Sequence, residues 1–269
     1  LEPCAHSGKT PPCSDLIIRH QIPQVVVGCR DPFKMVDGKG IEKLRNAGVK
    51  VIENILAKEC LHLNRRFFTR VQKQRPYIIL KWAQTHDAYF APSDDNQRWI
   101  SSMAAKKLVH KWRSEEDAVL VGKRTALIDD PQLNVRLWNG RNPVRIVIDR
   151  NLQLPLSLNL FDQSQPTIVF NALKTEIVGN IKFLELEDFD NLLPQLICYQ
   201  LYLMDIQSLI IEGGAQTLNF FIQAGLWDEA RIFTGSSKWE TGLPAPKITG
   251  QPVSSEEVGS DILQIWYNS

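Results

Sequence analysis

Hydrophobic residues in this chain fall in short blocks more often than in strict alternation. Such blocks, some unbroken and some holding one polar residue, occupy residues 25–27, 49–52, 77–80, 118–121, 144–148, 167–170, 208–211, 230–233 and 262–266. A strand that is apolar on both sides belongs in a sheet covered on both faces, which is the habit of parallel sheets. Between these blocks the spacing turns helical over residues 38–47, stopped by Gly48, and over 57–68, where Leu61, Asn64, Phe67 and Phe68 share a face. Further helices are predicted over residues 101–113, 192–203 and 217–224. Strand and helix alternate throughout, so the fold class is α/β. Residues 69–76 are polar and end in Pro76, a plausible linker. The pattern restarts after it, giving two domains, 1–72 and 75–269.

Composition adds little beyond a soluble globular chain: 269 residues, 43% hydrophobic and 23% charged. No uninterrupted apolar run reaches the length of a membrane span. Five cysteines at 4, 13, 29, 60 and 198 show no disulfide-framework spacing and fit a reducing cytoplasm. Charge is uneven. Residues 1–74 carry 13 Lys and Arg against 7 Asp and Glu, and residues 75–269 carry 18 against 23. The positives are scattered, which speaks against a nucleic-acid surface and leaves room for a phosphorylated small molecule.

Residues 3–13 read Pro-Cys-Ala-His-Ser-Gly-Lys-Thr-Pro-Pro-Cys. Cys4 and Cys13 bracket a Gly/Pro-rich turn, and thiolates are soft anionic ligands that suit Zn²⁺. A catalytic zinc takes three protein ligands and keeps one position open for water. In zinc nucleobase deaminases an upstream His-x-Glu supplies the third ligand and the acid/base. No such pair precedes Cys4 here, so an incomplete zinc site is expected, in a deaminase domain shortened at its start. His6 is awkwardly close to Cys4 for joint chelation and reads first as a substrate contact. The plain alternative is two unliganded thiols beside a turn. Farther on, the strand at 208–211 runs into Gly213-Gly214 and then a helix, where exposed amides suit an anionic phosphate. This is not a G-x-G-x-x-G fingerprint. Asp129-Asp130-Pro131 reads equally well as a surface turn.

These segments together resemble the bifunctional deaminase/reductases of riboflavin biosynthesis. The first thirteen residues, with eight residues between the cysteines where cytidine and adenosine deaminases have two, are similar to the deaminase half. Residues 75–83, Arg-Pro-Tyr-Ile-Ile-Leu-Lys-Trp-Ala, resemble the opening strand of the reductase half, and Trp-Ile-Ser at 99–101 with His110 to Arg113 resembles its first helix. The most specific stretch is 117–136, Asp-Ala-Val-Leu-Val-Gly-Lys-Arg-Thr-Ala-Leu-Ile-Asp-Asp-Pro-Gln-Leu-Asn-Val-Arg, followed by Ile-Glu-Gly-Gly-Ala-Gln-Thr-Leu at 211–218. The resemblance implies a truncated cytidine-deaminase-like α/β/α domain, then a dihydrofolate-reductase-like α/β domain with a mostly parallel central sheet. It implies zinc hydrolysis of an amino group on a phosphoribosylated diaminopyrimidinone, then NADPH-dependent reduction of the ribose of 5-amino-6-(5-phosphoribosylamino)uracil to ribityl.

Site residues follow from the resemblance position by position. Cys4 and Cys13 would hold zinc, with His6, Lys9 and Thr10 near the phosphoribosyl substrate. NADPH would lie against Ala83, Trp99, Thr125, Asp129, Arg150, Gly213, Gly214, Ala215, Gln216 and Thr217. Arg113, Leu133 and Arg136, with Gln97, would contact the substrate, two guanidinium forks matching one phosphate. Arg150 is a basic side chain placed to meet a 2′-phosphate. Glu212 would face the substrate and Lys81 would hold the ribose hydroxyls; their bland alternatives are a solvated carboxylate and a structural salt bridge. Arg113 is otherwise an ordinary charge at a helix end. Where the family reads Ser-Leu-Asp-Gly, this chain has Thr85-His86-Asp87-Ala88, so a loop of altered shape is expected. A homodimer through the reductase domain is implied, with Trp227 or Trp239 exposed in its interface. Two other readings remain: a non-catalytic NADP-binding or oligomerisation module, and a reductase acting on a pterin.

Overall fold

A computed structural model describes residues 1–8, 10–94 and 99–268. Lys9 and Gln97 lie outside the described residues. The chain divides into two compact units, Leu1–Arg75 and Pro76–Ser269.

The first unit holds helix α1 (Cys13–Arg19), strand β1 (Gln24–Val27), helix α2 (Lys39–Asn46), strand β2 (Lys50–Glu53) and helices α3 (Ala57–Leu63) and α4 (Arg65–Lys73). β1 and β2 pair in parallel. The amphipathic α2 turns Ile41 and Leu44 into a small core with Val27, Val36 and Val49. Two expectations need correction. The helix predicted over 57–68 breaks at Asn64, whose Nδ2 donates to the Cys60 carbonyl at 2.8 Å and closes α3 there. The segment read as a linker is helical through Lys73, because α4 continues an amphipathic pattern that buries Thr69 and stops at Gln74 in a left-handed turn, φ 51°.

The second unit carries strands β3 (Tyr77–Gln84), β4 (Tyr89–Ala91), β5 (Ala118–Gly122), β6 (Val144–Ile148), β7 (Thr167–Asn171), β8 (Glu176–Val178), β9 (Ile181–Glu185), β10 (Ser208–Gly213), β11 (Glu229–Thr234), β12 (Leu243–Pro244), β13 (Ser254–Val258) and β14 (Asp261–Tyr267). Its helices are α5 (Met103–Glu115), α6 (Lys123–Asp129), α7 (Leu193–Leu203) and α8 (Ala215–Gln223). Ten strands form one mixed sheet in the order β13-β14-β11-β3-β10-β5-β6-β7-β9-β8. Pairs from β11 through β9 are parallel, and the antiparallel pairs sit at the two edges.

Both faces of the central strands are buried, which explains their largely apolar sequences. Ile78, Leu80 and Trp82 of β3 point into a core with α7 and α8, through Ile197, Leu201, Leu218 and Phe221. Tyr77, Ile79 and partly buried Ala83 point the other way, toward Ala105, Val109 and Trp112 of α5. Full burial of a Leu or Phe stabilises by about 1.5–3 kcal/mol, so these two layers fix the strand ends that build the site. Trp227 belongs to the first core and is 7% exposed, which corrects the expectation that it lies open at an interface.

The loop expected to change shape keeps a glycine-like bend. Ala88 adopts φ 63°, and its N–H donates to the Thr85 carbonyl at 3.0 Å. Asp87 accepts from the Thr85 hydroxyl at 2.6 Å and from the Trp239 and Glu240 amides at 3.0 and 2.9 Å. The Thr85 hydrogen bond, with help from these amides and against some burial, holds the Asp87 carboxyl down to about 2.

Candidate active site

A cleft of about 1910 Å³ opens at the carboxyl ends of the parallel strands, the place where open α/β sheets receive ligands. Lys81 and Ala83 come to it from β3, Gly122 from β5, Ile148 from β6 and Glu212 from β10, while Thr125 and Asp129 come from α6. The start of α8 supplies Gly214, Ala215, Gln216 and Thr217. Arg150 and Trp99 also line it. Gly213 lies behind the lining and is buried.

The glycine turn is held by a side chain from the neighbouring element. The Gly214 amide donates to Thr125 Oγ1 at 2.8 Å. A Cβ on Gly213 would come 3.1 Å from that threonine, and one on Gly214 3.2 Å. The α8 N-cap has no side-chain cap, so the first-turn amides and the positive helix end face the cleft. This cradle suits a phosphate group.

Beside it, buried charges are packed together. Arg113, near the end of α5, clamps Glu212 with two hydrogen bonds, Nε to Oε1 at 2.6 Å and Nη2 to Oε2 at 2.7 Å. The side chains are 11% and 7% exposed, so Glu212 is not the solvated carboxylate of the bland reading. Burial pushes the Glu212 carboxyl up, but Arg113, its hydrogen bonds, Lys81 and His110 together carry it below its ordinary value. Lys81 moves the same way: burial lowers its ammonium, Arg113 adds to that, and the Glu212 and Asp129 carboxylates oppose it.

Arg113 and Arg136 share one residue. Arg113 Nη1 donates to the Asn134 carbonyl at 3.2 Å, and Arg136 Nη1 to Asn134 Oδ1 at 2.9 Å. The two cations are therefore neighbours, with Arg113 bonded to Glu212 next to the glycine turn. They are not equal partners for a phosphate, because the Arg113 fork is already filled by Glu212 while Arg136 is exposed. Leu133 departs further from expectation. Its side chain is 2% exposed and packs in the α5-side core, held by a left-handed backbone, φ 48°.

Sequence reasoning gave no role to His110. It is 4% exposed on α5, and its Nδ1 accepts the Arg136 amide at 3.2 Å. Burial, reinforced by Arg113 and Arg136, lowers its pKa to about 4, so it stays neutral and keeps that acceptor. Glu2 was also missed. Its carboxylate takes the amides of Gly38 and Gly40 at 2.9 Å each and Ile41 at 3.3 Å, capping α2. An ideal Cβ on Gly40 would fall 1.7 Å from the Pro3 carbonyl oxygen, so only glycine lets the segment ahead of Cys4 dock there.

Cys4 and Cys13 do come together: the Cys13 amide donates to Cys4 Sγ at 3.3 Å. The side-chain contact with Cys4 and burial push the Cys13 thiol up. His6 stands tilted against Phe33 at 6.1 Å, with its Nδ1 buried and unpartnered, and Thr10 is exposed. Among the described residues no group of three His, Cys, Asp or Glu side chains is placed to hold a metal.

The wide mixed sheet, the charged cleft at its strand ends and the reductase-type relatives that share them define an oxidoreductase of the α/β class. Residues 76–259 match the family model described as the RibD C-terminal domain. The riboflavin biosynthesis protein RibD of Aquifex aeolicus is 41% identical over 266 residues, covering 96% of this chain and 71% of that one. Its counterpart in Actinobacillus pleuropneumoniae is 34% identical over 282 residues, covering 98% and 70%. The crystal structure of a diaminohydroxyphosphoribosylaminopyrimidine deaminase/5-amino-6-(5-phosphoribosylamino)uracil reductase from Thermotoga maritima superposes with a TM-score of 0.90 at 34% identity, over 100% of this chain and 78% of that one. The chain belongs to the RibD family of riboflavin biosynthesis proteins.

Proposed function

We propose that the second unit reduces the ribose of 5-amino-6-(5-phosphoribosylamino)uracil to the ribityl chain, using NADPH. The observation that carries this reading is the largely buried Lys81–Glu212–Arg113 group beside the Gly213-Gly214 turn, with Arg136 sharing Asn134 with Arg113. Bound NADPH supplies a hydride. Thr125 and the first turn of α8 are proposed to hold its diphosphate, with Ala83, Trp99, Asp129, Gln216 and Arg150 along its length.

The protein's part is positioning. Arg136 is the cation left open for the substrate 5′-phosphate, and the Asn134 and His110 contacts fix where it stands. Arg113 acts chiefly by holding Glu212 ionised and aimed into the cleft. Lys81, with its ammonium eased toward neutrality by burial, is proposed to hold the ribose hydroxyls and pass a proton to the sugar oxygen as the ring opens. Leu133 contributes through its backbone.

The first unit is proposed as deaminase-like, with Cys4 and Cys13 as two zinc ligands and His6, Lys9 and Thr10 nearby. Two thiols do not make the three-ligand set that a catalytic zinc requires. A homodimer and a cytoplasmic setting remain part of this proposal. No helix among the described residues is long and apolar enough to cross a membrane.

The test is NADPH absorbance with the substrate and with its 5′-dephosphorylated form. Turnover with the phosphorylated compound and at least a tenfold higher KM without the phosphate are expected. NADPH binding without turnover on either compound would instead favour a non-catalytic module.

A further inference from the structure

Arg150 does not wait open for a ligand. Its Nε and Nη2 donate to the two carboxylate oxygens of Asp190 at 2.9 and 2.6 Å, and its Nη1 donates to Asn151 Oδ1 at 3.2 Å. The guanidinium also lies 6.0 Å over the Phe189 ring. Arg150, Phe189 and Asp190 all line the cleft. The pair is open to water, with side chains 48% and 66% exposed. Exposed pairs of this kind exchange partners easily.

Sheet order says which part of a dinucleotide meets this pair. Arg150 follows β6, two strands from β10 in the order β10-β5-β6, or about 10 Å at roughly 4.8 Å per strand. Lys81 lies on β3, on the other side of β10. A diphosphate seated at Gly214–Thr217, with the nicotinamide toward Lys81 and Ala83, sends the adenosine toward Arg150. A carboxylate already in the Arg150 fork has the geometry that a 2′-phosphate would need. The two anions compete for one cation.

We propose that Asp190 sets the choice between NADPH and NADH by occupying Arg150 as an internal rival of the 2′-phosphate. NADPH must displace the carboxylate and then sits beside it, anion against anion. NADH leaves the pair intact and offers Asp190 its 2′-hydroxyl as a donor. Asp190 thus trims the preference for NADPH. The inference rests on the nicotinamide reading given above.

The test is fluorescence titration of the full chain with NADPH and with NADH. Asp190→Asn is expected to tighten NADPH threefold to tenfold and to leave NADH unchanged or weaker. Arg150→Ala is expected to weaken NADPH at least tenfold and move NADH less than twofold. In the Arg150→Ala background, adding Asp190→Asn is expected to shift the ratio of the two affinities less than it does in the unsubstituted chain, because no cation is left to compete for. A merely structural Asp190 would shift both cofactors together. An unchanged ratio in Asp190→Asn, with Arg150→Ala still weakening NADPH, overturns the rivalry alone. Failure of the unsubstituted chain to bind either cofactor overturns the nicotinamide reading, and the rivalry with it.

Discussion

Arg113 clamps the Glu212 carboxylate, which also faces Lys81 and His110. Replacing it by Gln keeps the shape and one acceptor but removes the charge that balances this group. Breaking one side of a buried ion pair costs about 3–5 kcal/mol, because the partner is left charged and unpaired. Here the Arg113 bond to the Asn134 carbonyl survives, which puts Glu212→Gln near the lower bound. For a domain of this size, a loss of about 3 kcal/mol lowers the melting temperature by about 6–12 °C. All seven tryptophans lie in Pro76–Ser269, so their fluorescence during urea unfolding reports this unit directly. Removing both charges with Arg113→Met and Glu212→Leu is expected to recover about 2 kcal/mol relative to the sum of the single changes, since neither member of the pair is left charged without the other. A loss under about 1 kcal/mol in Glu212→Gln, or strict additivity of the two changes, would refute the idea that this pair organises the site.

Three other outcomes follow from the same geometry. His110 has a pKa near 4 when folded, against 6.5 ordinarily, so only the unfolded chain takes its proton between those values. Stability is therefore highest above about pH 6.5 and falls toward pH 4, by at most about 1.4 kcal/mol per pH unit from this group. His110→Gln is expected to flatten that slope in pH-dependent urea unfolding while leaving the separate acid loss below pH 4, where Asp87 and Asp162, both held near 2, take up protons. In the first unit, Gly40→Ala drives a Cβ into the Pro3 carbonyl and undocks Glu2 from α2. Hydrogen exchange at Gly38, Gly40 and Ile41 should then quicken by the worth of a helix cap, about 0.5–2 kcal/mol, and unchanged protection would contradict this. Ala88→Gly relieves a left-handed alanine and is expected to raise stability by about 0.5–1 kcal/mol, read from the urea midpoint.

Much of the frame was legible because burial on both faces writes itself into the chain as apolar runs such as Ala118–Gly122 and residues 146–148. Edge and hairpin strands were not. β8 is exposed throughout, and β13 is nearly so and rich in Ser and Glu, so neither carries an apolar signal. The short α6 was not predicted; it ends at Asp129, where the Asp129-Asp130-Pro131 turn reading begins. In the site, the glycine turn and the basic residues stood out by type, but their pairing did not. Arg113 and Glu212 are 99 residues apart, and only the parallel order of β3, β10 and β5 brings the end of α5 to the end of β10. Arg150 was read as a free cation because nothing local marks Asp190, forty residues on, as its partner. Leu133 was read as a contact although its side chain belongs to the core.

The central claim is that the cleft holds a reduced nicotinamide against the sugar of a phosphoribosylaminopyrimidine. Its most direct test uses NADPH deuterated on nicotinamide C4, with mass spectrometry of the pyrimidine product. Transfer of a single deuterium onto the former sugar carbon C1′, lost when Glu212 and Lys81 are both replaced, is the predicted result. Product free of deuterium, or no ribityl product while NADPH remains bound, would contradict it.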